Sequence, residues 1–335
     1  MKRLTIITLA VCLLVQVGFA QSKLGQTGAQ FLSVGSDAWA GGMAGAMTVV
    51  EMASASLLFN PAGMARMDSR ISVTASQNQW IADINHNLFT VAIRPADGKY
   101  GVLGASLISV DYGELQGTMV WDNAKGYIDT ELLTPSSYAL GVGYAAVLND
   151  KFSVGGQLKY IGLDYSRSVY PDINENADTV KSHIAYASAF DFGTLFRTGW
   201  HSLAFGMSMR NFSNEVRFEK EAFQLPLTFS IGIGMDVFDL VRQRMGNQQL
   251  MVTLDAQHYR SSPEQILMGI EYRPLSALAL RAGLYTSEDE NSGSFDENDL
   301  SFGFGINQFG LALDYAYTPM GVWNEVHRIS ARFSF

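Results

Sequence analysis

The chain is nearly without cysteine: one in 335 residues, Cys12, and it lies in an apolar leader. Once that leader is removed no thiol remains, which excludes disulfides, cysteine-ligated metals and a cysteine nucleophile. Charge is scarce as well. Asp, Glu, Lys and Arg together make 16%, against about 25% in an ordinary soluble domain. Proline is sparse, 8 residues against 32 glycines. Beyond the leader no segment offers ~20 consecutive apolar residues, so a bundle of transmembrane helices is excluded. Positive charge is in deficit: the net charge is −9, which argues against nucleic acid as a partner. Motif chemistry is missing too. There is no G-x-S-x-G, no H-E-x-x-H and no phosphate-binding loop. The five histidines, His86, His183, His201, His258 and His327, stand in separate segments without metal-ligand spacing. Neither a cofactor nor a metal is expected, and nothing positive points to an enzyme. An enzyme would need a Ser/His/acid cluster assembled from distant strands.

Aromatics and apolar residues are abundant: 20 Phe, 14 Tyr and 47% hydrophobic residues overall. The first 20 residues account for part of this. Lys2 and Arg3 precede an apolar run from Leu4 to Val17, then Gly18-Phe19-Ala20. This reads as a secretory signal, residues 1–20, cut before Gln21. Its loss takes the charge from −9 to −11, since two basic residues leave and no acidic one does.

From residue 71 to 335 the dominant pattern has a period of two, the mark of strands whose faces meet different surroundings. Leu227, Phe229, Ile231, Ile233, Met235 and Val237 alternate with Thr228, Ser230, Gly232, Gly234 and Asp236. Leu300, Phe302, Phe304 and Ile306 alternate with Ser301, Gly303, Gly305 and Asn307, and the chain ends on Ile329, Ala331, Phe333 and Phe335. One face is large and apolar, the other small or polar. Periodicity alone does not separate a soluble sandwich from a barrel in lipid. Three features favour the barrel. The segments run to about ten residues, enough to cross a bilayer at a tilt. Fourteen of them are expected, near 71–80, 87–95, 100–110, 137–147, 151–163, 183–196, 200–210, 224–237, 249–260, 264–273, 277–286, 298–307, 309–317 and 326–335, joined by short and long connections that mostly alternate. The last strand ends in phenylalanine, as in bacterial outer-membrane proteins. The expected fold is all-β: a 14-stranded antiparallel transmembrane barrel in the bacterial outer membrane. Closure is required there, because an open edge in hydrocarbon leaves backbone groups unpaired.

Residues 21–70 read differently. They are rich in Gly and Ala, with Ser36 or Asp37 placed to cap a short helix to about Val50. A turn, Asn60-Pro61-Ala62-Gly63, follows. Small residues permit close backbone approach, so the segment suits a plug inside a barrel. A small cap outside it, or a leader to the first strand, are the alternatives.

The run Gly25-Gln26-Thr27-Gly28-Ala29-Gln30-Phe31-Leu32, then Ala38-Trp39-Ala40-Gly41-Gly42-Met43-Ala44-Gly45-Ala46, then Ala55-Ser56 before Asn60-Pro61-Ala62-Gly63-Met64-Ala65 resembles the N-terminal signature of the PorV/PorQ family, part of the FadL-like outer-membrane barrels. The resemblance implies a 14-stranded barrel with an N-terminal hatch. It implies one of two activities: accessory service to type IX protein secretion, with extracellular loops engaging secreted cargo or partner proteins, or passage of hydrophobic small molecules across the outer membrane. In the second case Phe31, Met43, Phe59 and Met64 would line an apolar ligand path beside the hatch.

The residues expected to face the lumen with charge are Lys159, Asp191, Arg210, Asp236, Asp255, Glu271, Arg281, Asp314, Arg328 and Arg332. The signs balance, five and five. A mutually paired set that holds the plug is expected, since charges at membrane depth find partners; substrate binding is the alternative. Arg66 and Arg70 are expected at the periplasmic surface. Residues 111–136 suggest a hairpin above the membrane, and the acidic run 287–299 a solvated loop. Trp80, Tyr100, Tyr112, Trp200, Tyr259, Tyr272, Tyr317 and Trp323 suit interfacial girdles.

Overall fold

A computed structural model describes residues 27–171, 178–240, 248–287, 300–321 and 325–335. The signal segment 1–20, the acidic stretches 172–178 and 287–299 in most of their length, and Trp323 lie outside the described residues.

Fourteen strands close on themselves: β1 (Ile71–Gln79), β2 (Asn85–Ile93), β3 (Val102–Asp111), β6 (Ser136–Val147), β7 (Phe152–Pro171), β8 (Asp178–Arg197), β9 (Ala204–Phe212), β12 (Thr228–Asp236), β13 (Gln249–Tyr259), β14 (Gln265–Leu275), β15 (Leu278–Ser287), β16 (Leu300–Gln308), β17 (Leu311–Pro319) and β18 (Glu325–Ser334). Each pairs antiparallel with its neighbours in the chain, and β1 pairs with β18 from Ser72↔Ser334 to Gln79↔His327. Two small hairpins stand off the barrel, β4 (Leu115–Val120) with β5 (Tyr127–Leu133), and β10 (Val216–Phe218) with β11 (Glu221–Phe223). The start of β1 and the end of β18 lie together, Ile71 bonded to Phe335, at the end with the short turns, called here the turn end. The hairpins rise from the opposite, loop end.

The alternation sorts as a barrel in lipid requires. Phe229, Ile231, Leu254, Phe302, Phe304, Leu313 and Ile329 are exposed on the outer wall. Ser230, Thr253, Asp255, Ser301, Asp314 and Ser330 point inward and are buried. In water this outside would be a large apolar liability. Around a closed barrel it is the hydrocarbon-facing band, and it places the protein in a bacterial outer membrane.

Two expectations are corrected. Strands β7 and β8 have 20 residues each, where 13 and 14 were expected. About ten span a membrane, so their upper halves continue as a ribbon beyond it, through residues expected as loop. The helix starting near Asp37 is also shorter. It is α1 (Ala38–Gly42), capped by the Asp37 carboxylate, which accepts from the Ala40 N–H at 3.1 Å. It stops because Ala44 (φ 51°) and Gly45 (φ 79°) leave helical backbone, so no helix reaches Val50.

Residues 27–67 thread the lumen. At the loop end Thr27 bridges Gln224, and the Gly28 N–H donates to the Gln224 carbonyl at 3.0 Å. Phe31 and Leu32 pack there with Val110, Ile161, Leu163, Ala185 and Leu225. At mid-height Trp39, Met43, Met47 and Met52 form a second cluster. Near the turn end Leu57, Met64 and Met67 meet Ala92, Val102 and Ala145. Glycines in the wall make room: a Cβ on Gly193 would collide with the Asn60 amide, and one on Gly283 with the Met43–Ala44 backbone.

Candidate functional site: the lumen and its inner segment

The turn Asn60–Gly63 is fully bonded. The Asn60 Nδ2 donates to the Thr48 carbonyl (2.7 Å) and to the Thr194 carbonyl of β8 (3.0 Å), while its Oδ1 accepts from the Ala62 N–H (3.1 Å). Pro61 sits in the first turn of a 3-10 helix, where its missing N–H costs nothing. The turn thus ties the inner segment to itself and to the wall.

The ten charges expected in the lumen divide into separate groups. Glu271, Arg281, Asp314 and Arg332 come together. Arg281 Nε donates to Glu271 Oε2 and Nη1 to Asp314 Oδ1, both at 2.6 Å; Arg332 Nη2 reaches Asp314 Oδ2 at 3.1 Å. Arg273 adds a contact to Glu271 Oε1 at 2.8 Å. All three guanidinium groups lie over one indole, Trp39 of α1, at 5.2, 4.9 and 4.5 Å from its centroid. The inner segment therefore rests its indole on a wall of cations.

Lys159 and Asp191 form a second group, 2.9 Å apart and buried. They sit at an irregularity between β8 and β9, where Asn211 (φ 62°) bulges and its N–H donates to Asp191 Oδ1 at 2.7 Å instead of continuing the ladder. Lys159 also donates to the Asn211 side chain. Asp255 acts alone on the inner segment: its Oδ2 accepts from the Thr48 N–H (2.9 Å) and Oγ1 (2.7 Å). Arg210 Nη1 donates to the Leu58 carbonyl at 2.8 Å and covers the Phe59 ring. Arg328 donates to the Gly35 carbonyl and to Thr318 Oγ1, each at 2.8 Å, and covers Trp80. Asp236 lies at the turn end, accepting from the Phe238 and Leu250 N–H groups at 3.0 Å. A single network is therefore not what the lumen holds. The pairs serve mostly to anchor residues 27–67.

Sequence reasoning missed Arg273, Trp39 and the Glu51–Arg197 pair, in which Arg197 Nη2 donates to both carboxylate oxygens at 2.6 Å. It also missed the Arg66 clamp at the turn end, bonded to Ser153 Oγ and the Asn149 and Asp150 carbonyls. Arg70 is exposed, 3.9 Å from Asp97. A usable signal existed for one pair: Glu271 and Arg281 flank a short turn and face each other in register.

A cavity of about 310 Å³ lies between the inner segment and the wall. Phe59, Trp80, Leu267, Tyr259, Tyr285 and Met320 line it, with Arg210 and Arg328 and the small residues Gly35, Ala40, Gly41, Ala44 and Gly45. A smaller pocket of about 30 Å³ adjoins Phe59, Leu58, Lys159 and Asp191. Of the four residues expected to form an apolar path, Phe59 lines both cavities. Phe31, Met43 and Met64 are packed in separate clusters along the segment instead. Trp80 and Tyr259, expected at the membrane interface, turn into this cavity, and Tyr112 turns inward to Ser137. Tyr100 and Trp200 are exposed at the turn end.

No protein-family model and no curated sequence matches the chain. Solved structures match its fold. The Ralstonia pickettii toluene transporter TbuX aligns at 12% identity and a TM-score of 0.59 over 90% of this chain and 98% of its own. The Pseudomonas putida toluene transporter TodX gives 10%, 0.57, 93% and 98%. A Pseudomonas aeruginosa FadL homologue gives 11%, 0.50, 90% and 98%. The first two are toluene transporters by name, and the chain shares with all three the FadL-like 14-stranded barrel fold.

Proposed function

We propose that the protein carries hydrophobic small molecules across the outer membrane by way of the lumen cavity, with residues 27–67 as its hatch. The observation that carries this reading is the 310 Å³ cavity itself, aromatic and apolar on most of its lining and bounded on one side by the segment that blocks the barrel. Ligand sites of this kind are concave, mainly apolar and supplied with a few polar groups. The names of the fold neighbours, two toluene transporters and a FadL homologue, support the same reading. The barrel supplies the passage, and the hatch supplies the gate: it is held by discrete bonds from Asn60, Thr48 and Leu58 that can be exchanged without opening the wall. Proteoliposomes loaded with the purified protein should take up a labelled monoaromatic hydrocarbon above empty vesicles. Filling the cavity with Ala44→Trp should reduce that uptake. Uptake equal to that of empty vesicles would sink the reading.

The protein-secretion reading rests on the PorV/PorQ resemblance and on one structural feature, the hairpins and ribbon that rise from the loop end. It predicts capture of secreted cargo that is lost when residues 115–133 are deleted.

A further inference from the structure

The ribbon above the membrane carries a group of side chains that transport does not use. The Ser168 hydroxyl of β7 lies 2.5 Å from His183 Nε2 of β8, and His183 Nδ1 lies 2.9 Å from Glu219 Oε1. Glu219 comes from a third segment, the tip of the β10–β11 hairpin, where its backbone adopts φ 56°. In the tautomer protonated on Nδ1, that N–H donates to the Glu219 carboxylate and Nε2 accepts from the Ser168 hydroxyl. This is the order of contacts by which a histidine, oriented by an acid, activates a serine. From this geometry we infer a second function: Ser168, His183 and Glu219 form a serine carboxylesterase site at the mouth of the barrel, acting on esters with an apolar acyl or aryl group.

Three local features support it. First, the site faces the barrel mouth. On β8 the odd positions Ala185, Ala187, Ala189 and Asp191 are buried inward while Ile184, Tyr186 and Phe190 are exposed outward, so His183 continues the inward row. An irregularity between Asp164 and Arg167, with Ser166 at φ 70°, shifts the parity of β7 and brings Ser168 to the same face, opposite Lys181. Second, charge is supplied. Lys181 pairs with Glu219, which fixes the carboxylate. Lys181 stands opposite Ser168 in the β7–β8 register, so the bond that fixes Glu219 comes from the residue paired with the serine. The Glu219 carboxyl is held below its ordinary range, first by the bond from Lys181. Third, the surroundings are apolar and only partly open. Phe218 lies 6.3 Å from the His183 ring and 5.2 Å from Tyr165. The His183 side chain is 14% exposed and Glu219 33%, so water and substrate have access.

The step balances without a co-reactant beyond water. Ser168 Oγ gives its proton to His183 Nε2 and bonds to the ester carbonyl carbon. The bond to the alcohol oxygen breaks, and that oxygen takes the proton from His183. Water then gives a proton to His183, its oxygen bonds to the acyl carbon, and the acid leaves as the serine regains its proton. Glu219 is a positioning residue that holds the ring. The inference stands apart from the transport reading, since the site lies on the ribbon and not in the cavity.

The test uses the folded full-length barrel in detergent, its fold checked by heat-modifiable migration. A fluorophosphonate probe should add one label per chain, mapped to Ser168, and p-nitrophenyl butyrate should be hydrolysed. Ser168→Ala and His183→Gln should each lower that hydrolysis at least about 100-fold. Glu219→Gln should lower kcat more than it changes KM. Thr118→Ala, which removes an exposed hydroxyl on the separate β4–β5 hairpin, should leave both readouts unchanged. No label on Ser168 in the folded wild-type protein would overturn the inference, as would hydrolysis equal in wild type and Ser168→Ala.

Discussion

Arg281 shows how a residue is decided by its neighbours. It is an arginine at membrane depth with two carboxylates at 2.6 Å and an indole stacked on it. Removing it leaves Glu271 and Asp314, both buried, facing each other's charge with only Arg273 and Arg332 at the edges. Arg281→Leu should therefore cost about 3–5 kcal/mol, since an uncompensated buried charge costs more than the pair contributes. Adding Glu271→Leu and Asp314→Leu should recover most of the loss. Urea unfolding in detergent, followed by tryptophan emission, checks both outcomes. The ten charges were legible in the sequence because they interrupt a small-residue face at period two. Their partners were not legible, because most are set by register between strands and by a segment more than two hundred residues away, as with Thr48 and Asp255.

Among elements, the β10–β11 hairpin and the β7–β8 ribbon are coupled by exposed charges. Glu219 bonds to Lys181 and His183, and its carboxyl titrates below its ordinary value of 4.5 in the folded protein. A carboxyl depressed in this way contributes stability above its unfolded pKa and loses it as pH falls through the folded one. Docking of the hairpin should therefore be intact at pH 7 and weaken below about pH 4.5. Amide exchange of residues 216–223, compared at pH 7 and pH 4 after correction for the intrinsic rate, should report this loosening while β12–β14 stay protected. Equal protection at both values would show that the hairpin is held by Val216 and Phe218 packing alone. The hairpin at 115–133 was legible from its alternation around a turn. The one at 216–223 was not: each strand has three residues, too few for a period to register.

For the whole molecule, the decisive quantity is the solvent that meets the outer wall. Ile231 is 47% exposed at mid-strand of β12, opposite exposed Met207 of β9, and exposed Leu254 of β13 stands opposite the next outward residue, Ile233. Ile231→Arg should destabilise the barrel by about 2–4 kcal/mol in a bilayer, the depth-dependent cost of a charge in hydrocarbon. The same change at the inward neighbour Ser230 should act by steric conflict with the inner segment instead. Folding titrations into short-chain lipid vesicles separate the two. An unchanged midpoint for Ile231→Arg would contradict the membrane assignment.

The sequence by itself determined the number and order of the barrel strands, the apolar outer wall and the location of the inner segment's tight turn. Those features follow from local rules: side chains alternate every two residues, proline and glycine mark turns, and a membrane demands a minimum strand length. The tertiary structure alone decided where the strands outrun the membrane, which aromatics turn inward and which charges meet. It also brought Ser168, His183 and Glu219 to one point. The reason is physical: a strand's period says which face a side chain takes, whereas closure, bulges and the register of distant segments set what it meets there.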